Sequence, residues 1–110
     1  MKINSDVISG NVIRDTEVYV VEDNRFLNNL CVSKTILHPN KETSGHSHPG
    51  LEEVYFFKSG TGIMQLDDQR IDVKSDDIIL IPDGAFHKVF NTGNSDLVFV
   101  CVFQSYERTN

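Results

Sequence analysis

The chain has 110 residues, 10 basic and 16 acidic, for a formal net charge of −6. That length suits one domain, residues 1–110. The acidic balance lacks the clustered Lys and Arg that hold nucleic acid or an anionic membrane, and no apolar run approaches the ~20 residues that span a bilayer. With 39% hydrophobic and 24% charged residues, the composition is that of a folded globular protein rather than a disordered one.

The first 16 residues are polar and expected at the periphery, where some of them can add an edge strand or swap onto a partner. They show no basic stretch followed by an apolar one, so no secretory signal is expected and the expected location is the cytoplasm. From there the hydrophobic pattern has a period of two. Strands are predicted over 17–21, 30–37, 53–58, 62–66, 69–73, 77–81, 87–90 and 97–103. Asp67-Asp68 reads as a tight hairpin turn. Pro82-Asp83-Gly84 reads as a turn with Pro at its second position and Gly at its fourth. No apolar i, i+3, i+4, i+7 pattern persists long enough for a good helix. Many short, evenly spaced strands in one small chain predict an all-β sandwich or barrel. The last six residues, 105–110, are polar and expected to be peripheral. Cys31 and Cys101 sit in apolar strand-like runs, as reduced, buried thiols do.

The chemistry concentrates at three of the four histidines. His46 and His48 are two apart, so on extended backbone both imidazoles share a face. Pro49-Gly50 then turns the chain, and the Glu52-Glu53 pair opens the next strand, where alternation lets only one carboxylate face inward. A third imidazole, His87, begins a separate strand after the Pro-x-Gly turn. Imidazole and carboxylate together suit borderline divalent metals. The fourth histidine, His38, precedes Pro39 at a strand end and is expected on the surface. No nucleophile elbow, zincin helix, phosphate loop or dinucleotide-binding loop is present.

These two segments resemble the motifs of the cupin superfamily, and of its small single-domain members. The family's first motif, G-x5-H-x-H-x(3,4)-E-x6-G, is matched from its first histidine onward by His46-x-His48-x4-Glu53-x6-Gly60, with Asn40 in place of the opening glycine. The second, G-x5-P-x-G-x2-H-x3-N, is matched by Pro82-x-Gly84-x2-His87-x3-Asn91, with Asp76 in place of its first glycine. Asn is among the residues that most readily follow glycine into positive φ. The first motif occupies residues 40–60 and the second 76–91.

The resemblance implies a double-stranded β-helix, or jelly-roll, barrel around one divalent transition metal ion: Mn, Fe, Ni, Cu or Zn. His46, His48, Glu53 and His87 would be its ligands, Glu53 being chosen over Glu52 by its spacing to Gly60. Tyr55 and Phe57 would share the inward face of Glu53, with Tyr55 as a proton donor or orienting group. Phe57, Met64 and Phe86 would line the substrate pocket, giving an apolar wall. The wall favours a metal-dependent enzyme of dioxygenase, decarboxylase or other lyase type acting on a small organic molecule. Sugar isomerases or epimerases and non-catalytic ligand-binding barrels are the alternatives. Basic residues are scarce near the motifs, which disfavours a multiply anionic substrate, although Arg25 and Lys34 lie elsewhere in the chain. Outward Val54 and Phe56 point to a homodimer.

Overall fold

A computed structural model describes residues 1–105. Alternation builds its sheets. In β3 (Leu30–Leu37), Cys31, Ser33, Thr35 and Leu37 are buried while the residues between them are half-buried. In β9 (Leu97–Gln104), Leu97, Phe99, Cys101 and Phe103 do the same. The other strands are β1 (Asn11–Asp15), β2 (Tyr19–Asn24), β4 (Glu53–Ser59), β5 (Thr61–Leu66), β6 (Gln69–Lys74), β7 (Ile78–Ile81) and β8 (His87–Phe90). They form a six-stranded sheet in the order β1-β2-β3-β9-β4-β7 and a three-stranded sheet in the order β6-β5-β8. Every pairing is antiparallel. Residues from both sheets, including Phe57, Met64, Val89, Leu97 and Phe99, form one buried apolar cluster. This is the all-β double-stranded β-helix that the sequence predicts. No helix occurs among the described residues, so none is long and apolar enough to cross a membrane.

Two turns differ from expectation. Residues 17–18 belong to a turn, not a strand, because the Thr16 hydroxyl accepts the Val18 amide at 3.1 Å and the Thr16 amide donates to the Tyr19 carbonyl at 2.9 Å. The second turn starts at Pro82: the Ala85 amide donates to the Pro82 carbonyl at 3.1 Å, and Gly84, now third, has φ +74°. Positive φ at that position is what a type II turn reserves for glycine. The two residues replacing motif glycines keep the glycine conformation, with φ +61° at Asn40 and +76° at Asp76.

The N-terminal residues are less peripheral than their polarity suggests. Ile8 is 1% exposed, and the Asn24 side-chain amide donates to its carbonyl at 2.7 Å. Residues 11–15 form the edge strand β1. Of the expected peripheral tail, residues 106–110 lie outside the described residues.

Candidate metal centre

A β-bulge before His46 decides which side chains of that segment reach the barrel interior. The segment before His46 runs antiparallel to β8, with bridges Glu42↔Phe90 and His46↔His87. Between those bridges the segment holds one residue more than β8 does. Gly45 lies there with φ +81°, the conformation of a glycine-led bulge. Its effect is to put Thr43 and His46, an odd number of residues apart, on the same interior cavity. His48 follows two residues on. Phe86 sits behind this bulge: a methyl group added at Gly45 would lie 2.7 Å from its Cζ.

Glu53 opens β4 and is 6% exposed, while Glu52 faces solvent. His87 opens β8 and is 3% exposed. The Nε2 of His87 lies 3.0 Å from a Glu53 carboxylate oxygen, and its Nδ1 lies 3.1 Å from the Ala85 carbonyl. A carbonyl only accepts, so Nδ1 carries a proton and Nε2 is aimed at Glu53. Burial acts to lower the His87 pKa. The hydrogen bond and negative charge of Glu53 outweigh it, with the Ala85 carbonyl adding, so the imidazole holds its proton above its ordinary value.

Donor atoms of His48, Glu53 and His87 all lie within 4.8 Å of one another. Bonds of about 2.1 Å around one ion keep neighbouring donors about 3 Å apart, the separation found between His87 and Glu53. The Ala85 contact is the outer hydrogen bond that a metal-bound histidine commonly makes. The chemistry of the donor set therefore fits a borderline divalent ion. His46 is adjacent but outside the three-donor group. Its ring stacks on that of His48 at 5.3 Å and lies 6.3 Å from that of His87, and its Nε2 is 3.4 Å from the Ser44 hydroxyl.

All four residues line one cavity of about 70 Å³. Tyr55 lines it too, stacked on Phe99 at 5.3 Å and edge-on to His87 at 5.7 Å. The other expected pocket residues lie elsewhere. Phe57 and Met64 are fully buried in the hydrophobic core, and neither they nor Phe86 is among the residues lining the cavity. Strand parity assigns a face; it does not assign depth along the barrel. The wall is also more polar than the sequence suggests. Ser33 and Thr35 reach it from β3, Thr43 from the loop and Arg14 from β1, and Cys101 contributes from β9. The parity of Cys31 and Leu37 carries the signal for Ser33 and Thr35. Arg14 carries none, because its orientation depends on a bulge.

His38 lies at the surface end of β3, 3.2 Å from Asp96. Asn91, the last motif residue, is structural: its side-chain amide donates to the carbonyls of Leu37 at 2.9 Å and Ser95 at 2.8 Å. It ties the end of β3 to the β8–β9 connection.

The Cupin domain family profile matches residues 33–103, and the chain belongs to the cupin family. An uncharacterized protein of Methanocaldococcus jannaschii is 36% identical over 70 residues, 64% of this chain and 56% of that protein. An oxalate-binding protein of Thermotoga maritima is 32% identical over 66 residues, 60% of this chain and 54% of that protein. The matches thus span about half the length of these curated relatives. Among solved structures, an uncharacterized conserved protein with a double-stranded β-helix domain from Klebsiella pneumoniae superposes with a TM-score of 0.80 at 21% identity, covering 94% of this chain and 88% of that one.

Proposed function

We propose that the chain binds one divalent transition metal ion through His48, Glu53 and His87, joined by His46, and is a metal-dependent enzyme of decarboxylase, dioxygenase or other lyase type acting on a small organic molecule. The convergence of three donors on one small interior cavity carries this reading. When bound, such an ion supplies a Lewis acid or an oxygen-activating centre. His87 is held by Ala85 with Nε2 directed at the site. Tyr55 places a phenol on the same cavity wall, where it can orient the substrate or give it a proton. The volume of about 70 Å³ is far below the roughly 300–1,000 Å³ of pockets for drug-sized ligands. It suits a substrate of a few heavy atoms better than a sugar.

A second reading, a non-catalytic barrel that holds a small acid, draws on the similarity to the oxalate-binding protein. Turnover separates the two. Metal-loaded protein is incubated with a panel of two- to four-carbon acids while carbon dioxide release, oxygen uptake and loss of the acid are followed. Metal-dependent turnover of any of them supports the enzyme. Tight binding without turnover would favour the binder.

We also propose a homodimer. Val32, Val102, Val54 and Leu80 are cross-strand partners in one row on the outer face of the large sheet, with Val100, Phe56 and Ile78 in the row beside it. Leu80 is 69% and Ile78 58% exposed, an apolar patch that a second copy would bury. Sedimentation is expected to give twice the 12.4 kDa chain mass, and Leu80→Lys to give the monomer. A wild-type monomer at micromolar concentration would overturn this.

A further inference from the structure

We propose that Arg14 anchors a carboxylate of the substrate opposite the metal centre, so that the cavity selects small organic acids. This rests on the metal reading above and adds the group that sets the substrate's charge.

The bulge in β1 makes the case. Val12 pairs with Glu22, and Arg14 pairs with Val21, so β1 holds one residue, Ile13, beyond the matching length of β2. Val21 faces the interior and lines the cavity, whereas Glu22 lies on the opposite face of β2. In a regular strand Val12 and Arg14 would share a face. The extra residue puts Val12 opposite outward Glu22 and Arg14 opposite inward Val21, turning a guanidinium toward the cavity. Bulges that re-aim a side chain in this way recur beside active sites.

Arg14 is the one Lys or Arg among the described residues lining this cavity. It also lines the outer groove with Thr43, Glu17 and Glu42, which places it at the mouth. Glu42 there is paired with Lys88 at 3.1 Å, and no carboxylate among the described residues forms an ion pair with Arg14. The remaining cationic candidates are engaged elsewhere: Arg25 with Asp23 at 3.3 Å and Lys34 with the Asp6 carbonyl at 2.6 Å. A half-buried guanidinium at the mouth of a metal-binding cavity recognises a planar carboxylate by paired N–H donors. An acid bearing a second oxygen ligand reaches Arg14 with one end and the metal with the other.

Metal-loaded wild type, Arg14→Gln and Arg14→Lys are titrated calorimetrically with oxalate and with oxamide, its neutral diamide, and metal content is measured before and after. The wild type is expected to prefer oxalate. Arg14→Gln is expected to weaken oxalate binding by about 10- to 100-fold and leave oxamide unchanged, Arg14→Lys to fall between, and all three to retain equal metal. Equal oxalate affinity in wild type and Arg14→Gln, or no oxalate binding by metal-loaded wild type, would overturn the role of Arg14 while the metal reading stands. A wild type that takes up no metal would overturn the metal reading and this inference with it.

Discussion

Glu53→Gln is expected to reduce metal affinity by more than about 100-fold while leaving the metal-free barrel folded. The carboxylate brings the negative charge to a site otherwise made of neutral imidazoles, and a carboxamide is a far poorer ligand for a divalent ion. In the metal-free protein the substitution is mild. The Gln side-chain amide donates to His87 Nε2 while Nδ1 keeps its proton against the Ala85 carbonyl, and a buried ion pair exchanged for a neutral pair of similar shape changes stability little, here by about 1 kcal/mol or less. His87→Ala behaves differently. It removes a proposed metal ligand and also strands a buried carboxylate, which costs about 3–5 kcal/mol. Glu52→Gln, on the exposed side of the chain, is expected to change neither property. Metal titration and chemical denaturation of the three variants check this. Greater metal loss in Glu52→Gln than in Glu53→Gln would mean that the register of β4 is off by one residue.

Gly45→Ala is expected to destabilise the protein by about 2–4 kcal/mol and to weaken metal binding about 10- to 100-fold. Two effects combine. Alanine is strained at φ +81°, and its methyl group would meet the Phe86 ring at 2.7 Å. Phe86 has little room to yield at its backbone, since its amide donates to the Asp67 carboxylate at 3.0 Å. Relief comes by flattening the bulge, and that turns His46 and His48 away from the cavity. Gly50→Ala is the control. Gly50 has φ +86° and nothing within 4 Å of an added methyl, so it reports the backbone strain alone, about 1 kcal/mol. Denaturation midpoints and metal affinity of both variants measure the difference. Equal losses would show that the bulge does not position the histidines.

The regular parts of the structure were legible because period-two alternation reports a face directly. Strands at 30–37 and 87–90 needed no adjustment, and the burial of Glu53 against exposed Glu52 follows from the same alternation once the motif spacing fixes the register. The rest depends on interruptions of that period. Asn11–Asp15 reads only as part of a polar periphery that can add an edge strand, without bounds, because an edge strand with exposed Val12 and Ile13 buries almost nothing. Ile8 gives no pattern because it is a lone apolar anchor. Arg14 reaches the cavity only through the extra residue at Ile13, and a bulge of ordinary residues leaves no mark in composition. Phe57 and Met64 show the opposite case. Their inward face was legible, but whether an inward side chain meets the cavity or the packed floor depends on how the two sheets close. Phe86 was misplaced for want of the contact with Gly45, which joins residues far apart in sequence.

This barrel is expected to carry a metal ion. Elemental analysis of the protein purified without added metal or chelator, taken with its electron spin resonance spectrum, tests it most directly. Close to one manganese, iron, nickel, copper or zinc ion per chain is expected, lost in Glu53→Gln and retained in Glu52→Gln. A wild-type protein that is folded, contains no metal and takes up none on titration would contradict it.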